Sequence, residues 1–350
     1  MGSICFSLAL CLTLFTSISL TKSANDFTSP YLSPTIFSPN YQKMLKNFKI
    51  FIYTPQNPFS SNSSVESLFY NSLQNSPFVT QDPNEAHLFF VAFQFEHSAR
   101  AIARVIRDLR MEFPYWNRTL GADHFYVSCA GIGYESDRNL VELKKNSVQL
   151  SCFPATADKF IPHKDITLPP LANSQSHDPQ HTPRIDNASA RHLGYVRNGA
   201  IKESTLVEEL RNDPDFVVDS QPSDWRSYVD RLSRSDFCLF EYGADTLGIG
   251  EAMRFGCVPV VITDRSIQDL PLMDVLRWQD MAVFVGSGRG VKQVKGVLDG
   301  TCEGRRRLGV TASQHFVWNE TPQPYDAFHM VMYQLWLRRH TIRYARREMD

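Results

Sequence analysis

A glycine-rich stretch that ends in a carboxylate is the first feature of this sequence that could do chemistry. It reads GADTLGIGE from Gly243 to Glu251, after an apolar run, Asp236–Tyr242, that predicts a buried strand. Its glycines are Gly243, Gly248 and Gly250. A helix that begins near Glu251 offers free N–H groups and the positive end of its dipole, and glycines let an anion such as a diphosphate approach. The spacing G-x4-G-x-G is not the dinucleotide fingerprint, and no P-loop lysine follows, so the ligand stays open.

Two charged side chains near this stretch suit the same kind of ligand. Glu251, in the first helical turn, either accepts hydrogen bonds from a ribose diol or is a helix-start carboxylate favoured by the dipole. Arg197 follows another predicted strand, Arg191–Val196, and precedes Gly199 in a loop that leads to a helix. Its guanidinium would pair with phosphate oxygens, and the alternative is an ordinary strand-to-helix turn. Both loops follow strands, and open parallel sheets bind ligands at the carboxyl ends of their strands.

The sequence predicts no metal site. The D-x-D motif Asp213-Pro214-Asp215 lies in a proline turn, and His177 and His181 stand in a loop that prolines interrupt. The cysteines beyond the N-terminal apolar run form no C-x-x-C pair, and their odd number leaves at least one thiol unpaired or bonded to another chain. These cysteines are Cys129, Cys152, Cys238, Cys257 and Cys302.

Strands alternate with helices along most of the chain, which is typical of parallel sheets covered by helices on both faces. In the first half we predict strands over 49–54, 87–95, 124–128 and 148–152 and a helix over 99–113. In the second half we predict strands over 191–196, 216–219, 236–242, 258–263 and 283–285, helices over 202–212 and 225–233, and a long helix over 326–347. Residues 169–190 contain four prolines and predict a linker. The fold class is therefore α/β with two domains, and the cleft between them is the expected ligand site.

The composition fits a folded protein of enzyme-like size. The 350 residues are 43% hydrophobic and 21% charged, which excludes a disordered or collagenous chain. The formal net charge is -1, whereas nucleic-acid binders carry a basic excess, so no nucleic-acid partner is expected. One apolar run could enter a bilayer, which excludes a multi-span membrane protein.

That apolar run, Ile4–Leu20, carries no charge and predicts a signal-anchor or a cleaved signal peptide over residues 1–24. Either one sends the rest of the chain into the secretory lumen, the first with the membrane as a partner. Residues 25–47 contain prolines among Ser, Thr and Asn and are interpreted as a solvated stem. N-glycosylation sequons agree with this compartment and stand at Asn62, Asn117, Asn187 and Asn319.

Several motifs resemble the exostosin-type glycosyltransferases (glycosyltransferase family 47) and follow in the family's order. The matching segments of the second half are Ser235–Leu239 with Gly243, Glu251-Ala252, Gly256–Val260, Leu270-Pro271 and Trp278. Those of the first half are Lys49–Tyr53, Asp82–Val91, Tyr115–Thr119 with Gly121, Asp123-His124, and Lys164–Ile166. The similarity spans roughly residues 48–330, and plant members look nearest.

This resemblance implies a GT-B-like architecture of two facing Rossmann-like domains with parallel sheets and a long C-terminal helix. The implied order is an acceptor-side domain over 48–170, a linker over 171–190, a sugar-nucleotide-binding domain over 191–325 and the helix over 326–350. The implied reaction is inverting transfer from a nucleotide-sugar, such as a UDP-sugar, to a cell-wall polysaccharide of the xyloglucan, xylan or pectin type, without a further cofactor. Family members usually face the Golgi lumen, which implies a single-pass type II membrane protein; secretion after signal cleavage is the alternative.

The resemblance also gives roles to the donor-side residues. Glu251 would hold the donor's ribose, and Arg197, Gly199 and the 243–250 loop its diphosphate. Asp264, which ends the strand 258–263, either faces the donor sugar or serves a turn.

The catalytic base is expected from the first domain, across the cleft, because inverting transfer needs a group that takes the acceptor's proton. Asp123, His124 and Asp165 are the candidates, each near the end of a strand. Asp123 and His124 have the alternative role of a polar turn beside a buried strand.

Two segments depart from the family's pattern. Many members have S-P-R just before the helix glutamate, where this chain has Thr246-Leu247-Gly248, and H-D-W-G is here Ala130–Gly133. A lost charge-assisted pair to phosphate costs about 1.5–3 kcal/mol unless another cation or N–H groups compensate. Two functions therefore stay open: an active transferase, or an impaired relative that assists a glycosyltransferase in a hetero-complex. The donor-side motifs disfavour a third class, a secreted carbohydrate-binding protein.

Overall fold

The computed structural model describes residues 29–53, 64–92, 98–133, 135–171, 191–197, 199–202, 205–221, 223–244, 248–298 and 302–347, with side chains as far as residue 339. The predicted N-terminal segment 1–24, nearly all of the linker, and the sequons at Asn62 and Asn187 lie outside these residues. Across the described ranges, no helix combines the length and the apolar character that crossing a bilayer requires.

The first sheet has five parallel strands that adjoin one another in chain order. They are β1 Ile50–Ile52, β2 Leu88–Phe90, β3 His124–Val127, β4 Val148–Cys152 and β5 Ile166–Leu168. Ile50 also bridges Val79 on the outer side of β1, so the chain passes outward from β1 before it returns to β2. The direction of winding therefore reverses between β1 and β2, as in doubly wound sheets.

The second sheet also has five parallel strands, in the order β10-β9-β8-β6-β7. They are β6 His192–Val196, β7 Phe216–Val218, β8 Ser235–Glu241, β9 Val258–Ile262 and β10 Val283–Val285. The order reverses between β6 and β8. In such sheets ligands bind outside the carboxyl ends of the strands at this reversal, which here are followed by Arg197 and the glycine-rich stretch.

Helices cover both faces of each sheet. Those of the first half are α1 Pro34–Asn47, α2 Val65–Gln74, α3 Ala99–Glu112, α4 Tyr115–Thr119 and α5 Arg138–Asn146. Those of the second half are α6 Thr205–Arg211, α7 Trp225–Ser233, α8 Ile249–Arg254, α9 Trp278–Met281, α10 Val291–Leu298, α11 Cys302–Ser313 and α12 Ala327–Arg347. The fold is α/β with two parallel sheets, which confirms the expected GT-B-like class.

Helix α3 shows why the periodic pattern predicted its element well. The Ser98 side chain caps its first turn by accepting from Ala101 N. Ile102, Ile106 and Leu109 recur at helical spacing and are buried against the first sheet. The apolar stripe decides the packing, because burial of each such side chain contributes about 1.5–3 kcal/mol.

The interpretation of residues 25–47 as a solvated stem is wrong for the part that the structure describes. Helix α1 occupies Pro34–Asn47, and Phe37, Tyr41 and Met44 lie buried along one side of it. Pro34 is tolerated because the first turn of a helix needs no N–H donor. The prolines suggested a spacer, and the apolar spacing between them was overlooked.

Both ends of the described chain cross to the opposite half. Residues before α1 pair with the second half, where Leu32 N donates to Val275 O and Arg277 N donates to Pro30 O, both at 2.8 Å. Helix α12 returns to the first half, where Trp336 packs against Phe48 with 5.6 Å between ring centroids. The two sheets therefore share one continuous apolar core.

Disulfides join neighbouring strands in each sheet. Cys129 and Cys152 pair beyond β3 and at the end of β4, and Cys238 in β8 pairs with Cys257 just before β9. Cys302 remains a free thiol, in agreement with the odd count. Burial raises the pKa of the Cys302 thiol to about 11, so this thiol stays protonated and unreactive at neutral pH.

Candidate functional site

Three of the predicted donor residues meet beyond the carboxyl ends of β6 and β8. An ideal Cβ atom built on Gly248 would lie 3.6 Å from Cζ of Arg197 and 3.6 Å from Oε2 of Glu251. The two loops therefore place a guanidinium and a carboxylate side by side. This is the point of strand-order reversal at which a doubly wound sheet binds its ligand.

Tyr228 of α7 completes this group and was missed by the sequence analysis. Its hydroxyl donates to Glu251 Oε2 at 3.0 Å, and Arg197 Cζ lies 5.6 Å from the centre of its ring. Burial, followed by the Glu251 charge, raises the pKa of Tyr228 well above its usual value, so the hydroxyl remains a donor. No motif identified this tyrosine, because it occupies one position of an ordinary amphipathic helix.

Glu251 stands in the first turn of α8, as predicted, and is 3% exposed. A buried carboxylate keeps its charge only where hydrogen-bond donors surround it. Tyr228 is one such donor at Oε2, and the hydroxyls of a ribose are of the same type. The position is compatible with both roles considered for Glu251.

The four predicted glycines do different things. Gly199 and Gly243 have φ values of 80° and 90°, which only glycine adopts without strain, and nothing lies within 4 Å of a Cβ built on Gly243. Gly248 stands against Tyr228, whose hydroxyl would be 2.6 Å from its Cβ. Gly250 instead packs on Phe316, at 2.8 Å, so its absent side chain serves core packing. A contact of the Gly250 backbone N–H with the donor stays a prediction.

Asp264 fits the turn role rather than contact with a donor. It is exposed, and its Oδ1 accepts from the backbone N–H of Ser287 at 2.8 Å. The Ser287 hydroxyl and N–H lower the pKa of this carboxyl. Asp264 thus connects the loops after β9 and β10, which is the turn role expected as its alternative.

Asp123 and His124 do not fit a catalytic base. Both are fully buried, at the amino end of β3, whereas ligands reach the carboxyl ends of parallel strands. Arg118 Nη2 lies 3.1 Å from Asp123 Oδ2, and His124 Nδ1 donates to Asp123 Oδ1 at 2.8 Å. His124 Nε2 is hydrogen-bonded to the hydroxyl of Tyr53 at 2.9 Å. The alternative of a polar turn beside a buried strand describes these residues.

Asp165 is also a structural group, so the third base candidate is wrong as well. It is 2% exposed, precedes β5, and accepts from Gln149 N at 3.1 Å and Ile161 N at 2.8 Å. Two lysines pair with it, Lys164 in direct contact and Lys144 at 3.7 Å. Burial lowers the pKa of both lysines, and the Asp165 charge opposes that shift. A carboxylate that is buried and bonded to two N–H groups and two lysines cannot contact the acceptor sugar.

Asp269 joins the two halves at their facing edges, and no motif pointed to it. Its Oδ2 accepts from Ala155 N and its Oδ1 from the Tyr242 hydroxyl, both at 2.7 Å. Its carbonyl oxygen accepts from the Thr167 hydroxyl at 2.7 Å. Tyr242 directly precedes Gly243, so Asp269 fixes the start of the glycine-rich stretch to the first half.

Glu66 is a second acidic group that the sequence analysis missed. It lies in the first turn of α2, partly exposed, and its Oε1 accepts from Cys129 N at 2.7 Å. Burial raises the pKa of this carboxyl, and the hydrogen bond from Cys129 N opposes the shift. Cys129 follows β3, so this carboxylate stands at the carboxyl edge of the first sheet.

The described ranges also cover possible metal ligands and two of the sequon asparagines, Asn117 and Asn319. Within the described ranges, no group of His, Cys, Asp and Glu is arranged to hold a metal ion. Asn117 is exposed in α4 and donates from its amide to Arg110 O at 3.2 Å. Asn319 donates to Asp326 Oδ2 at 3.1 Å. Of these two amides, Asn117 is the more accessible.

Comparison with known proteins agrees with this geometry. The Exostosin GT47 domain family matches residues 44–299. A probable glycosyltransferase of Arabidopsis thaliana is 30% identical over 342 residues, which cover 88% of this chain and 72% of the relative. A probable beta-1,4-xylosyltransferase of the same plant is 28% identical over 311 residues, 77% of this chain and 73% of the relative. A probable glucuronosyltransferase of Oryza sativa subsp. japonica is 29% identical over 265 residues, 67% of this chain and 59% of the relative. The chain therefore belongs to the exostosin family, GT47, and is a glycosyltransferase.

Proposed function

We propose that the chain transfers a sugar, with inversion, from a UDP-sugar to a plant cell-wall polysaccharide of the xyloglucan, xylan or pectin type. The names of two relatives, a xylosyltransferase and a glucuronosyltransferase, support this substrate class. The observation that carries donor use is the meeting of Arg197, Tyr228, Gly248 and Glu251 at the strand-order reversal of the second sheet.

Each member of this group has a part in donor binding. Arg197 pairs with the diphosphate, and the negative charge that grows there as the sugar leaves strengthens this contact. Glu251 accepts from the ribose hydroxyls, and Tyr228 holds the carboxylate in place. The interaction of Arg197 with the diphosphate is stronger in the transition state than in the bound donor, and such an interaction accelerates the chemical step itself.

Arg197 also bears on the missing S-P-R arginine. Many family members carry that arginine where this chain has Gly248, and Arg197 Cζ lies 3.6 Å from the Cβ position of this glycine. The guanidinium of Arg197 thus lies close to the position that the S-P-R arginine occupies in other family members. This favours an active transferase over an impaired relative in a hetero-complex.

We also propose a Golgi-lumenal location, with residues 1–24 as a type II membrane anchor and secretion after cleavage as the alternative. The two disulfides support an oxidising compartment. Digestion of the expressed full chain with an endoglycosidase tests this placement. A loss of mass is expected, and a chain without N-glycans would contradict it.

The transfer itself is tested with the full chain, a panel of UDP-sugars, and oligosaccharides of xyloglucan, xylan and pectin. We expect product from at least one donor and acceptor pair, and a loss of about tenfold or more in kcat/KM in Arg197→Ala. Arg104→Ala, an exposed change on α3, is the matched control. Absence of UDP-sugar binding at about millimolar concentration, a free energy near 4 kcal/mol, would contradict donor use.

A further inference from the structure

With Asp123, His124 and Asp165 removed as candidates, the proposed reaction needs another group to take the acceptor's proton. Glu66 stands at the carboxyl edge of the first sheet, whereas the earlier candidates lie at the amino ends of their strands. Its Oε1 contacts the backbone N–H of Cys129, two residues beyond the end of β3 at Val127. Parallel strands direct their carboxyl ends toward the ligand crevice, so Glu66 occupies the edge at which chemistry is expected.

That edge of the first sheet faces the second half. Cys129 is bonded to Cys152, and the next residue, Phe153, places its ring 6.4 Å from the ring of Tyr242. Ala155, two residues further, donates to Asp269 of the second half at 2.7 Å. A short series of contacts thus leads from the Glu66 edge to Tyr242, at the start of the glycine-rich stretch.

The chemical state of Glu66 suits a proton acceptor. The N–H of Cys129 fixes one oxygen at 2.7 Å, which orients the carboxylate, and the side chain retains partial exposure. Burial raises the pKa of this carboxyl, which makes its carboxylate a stronger base than that of an ordinary glutamate.

We propose that Glu66 is the general base of the transfer, a role that rests on the proposed transferase function. The acceptor's O–H proton moves to the Glu66 carboxylate while the acceptor oxygen forms its bond to the anomeric carbon. The bond from that carbon to the diphosphate oxygen breaks, and its electron pair leaves with UDP. Glu66 belongs to the first half and Arg197 to the second, and inversion requires that the base and the leaving diphosphate approach the anomeric carbon from opposite sides.

Glu66→Gln tests the role in the full chain, because the amide oxygen can still accept from Cys129 N and keep the local fold. We expect UDP affinity by calorimetry within about twofold of wild type. The kcat at saturating UDP-sugar should fall about 100-fold or more, and Glu66→Asp should recover part of it. Glu112→Gln, an exposed change on α3, is the control. A kcat of Glu66→Gln within about threefold of wild type would overturn the proposal.

The pH dependence of kcat in the wild type gives a second readout, which is compared with that of Glu66→Gln. The kcat should decline as pH falls through the raised pKa of Glu66, and this acid limb should be lost in Glu66→Gln. A kcat that stays level down to about pH 4 would overturn the role. A wild-type chain that binds UDP but transfers no sugar would contradict the transferase itself, whereas an active Glu66→Gln contradicts only the base.

Discussion

Tyr228 donates its hydroxyl hydrogen bond to Glu251 Oε2 at 3.0 Å, and both side chains are more than nine-tenths buried. The bond joins α7, which leads into β8, to α8, which leads out of it. It thereby fixes a charged group beside Arg197 where the second sheet reverses its strand order. Hydrogen bonds to charged groups contribute about 1.5–3 kcal/mol to the stability of the fold. This contact therefore stabilises both the fold and the geometry of the donor site.

Tyr228→Phe removes that hydrogen bond and leaves the ring in place. The free energy of unfolding should fall by about 1.5–3 kcal/mol, because a buried carboxylate loses a donor, and UDP affinity should fall with it. Urea unfolding and calorimetry measure the two effects. Tyr115→Phe, a change in a partly exposed tyrosine of α4, should alter neither. An unchanged unfolding free energy in Tyr228→Phe would show that the bond does not stabilise the native state.

Gly248→Ala should damage the donor site through a steric contact. The new Cβ would meet the Tyr228 hydroxyl at 2.6 Å, so the tyrosine must move away from Glu251. We expect UDP binding to weaken about tenfold, about 1.4 kcal/mol, by calorimetry. Gly296→Ala is the matched control, because nothing lies within 4 Å of that Cβ and the helix α10 should gain about 0.5–1 kcal/mol. Equal UDP affinity in wild type and Gly248→Ala would contradict the placement of Tyr228.

Asp123→Asn should affect stability rather than catalysis. The carboxylate is fully buried and pairs with Arg118, whose side chain is 39% exposed. We expect a loss of about 2 kcal/mol in the free energy of unfolding, discounted for the exposure of Arg118. Sugar transfer by the folded variant should stay within a few-fold of wild type. The reverse pattern, full stability with transfer lost, would restore Asp123 as the base.

His315 should make the fold sensitive to acid. Its Nδ1 donates to Tyr325 O at 2.6 Å and its Nε2 accepts from the Tyr31 hydroxyl at 2.9 Å, which fixes the neutral ring. Burial lowers the pKa of His315 to about 4, so below about pH 6.5 the unfolded chain takes up a proton that the folded chain refuses. The contribution of neutral His315 to the free energy of unfolding is complete above about pH 6.5. It declines by up to about 1.4 kcal/mol per pH unit as pH falls toward about 4.

Urea unfolding at about pH 7.5 and about pH 5 measures this effect of His315. The fall in unfolding free energy between the two should be smaller in His315→Gln, because glutamine does not titrate. Equal falls in both proteins would mean that His315 is not the group responsible.

Periodic patterns predicted several of the elements that have one buried face, whereas α5, which also has one, was not predicted. Helix α7 was predicted over the residues it occupies, and every predicted strand is present within a few residues. Strand β5, Ile166–Leu168, was not predicted. Helix α1 was missed because its prolines outweighed the apolar spacing of Phe37, Tyr41 and Met44.

The site was predictable where backbone position decides the role. Arg197, Gly248 and Glu251 follow strands that approach the crevice, and strand order places such residues together. The base candidates failed because Asp123 and Asp165 stand at the amino ends of β3 and β5. A sequence can show that a residue lies near the end of a strand, but it does not show how deeply the side chain is buried. Tyr228 and Glu66 are positioned by contacts between remote segments, which no local motif encodes.

The most direct measurement of donor binding is calorimetric titration of UDP into the full chain and its Glu251→Ala variant. Glu251→Gln, which keeps the side-chain volume, separates loss of charge from loss of packing, and Glu112→Ala is the exposed control. We predict that UDP binds the wild type and binds Glu251→Ala about tenfold or more weakly, a difference of about 1.4 kcal/mol. Equal affinity in folded wild type and Glu251→Ala would contradict a donor site at the junction of β6 and β8.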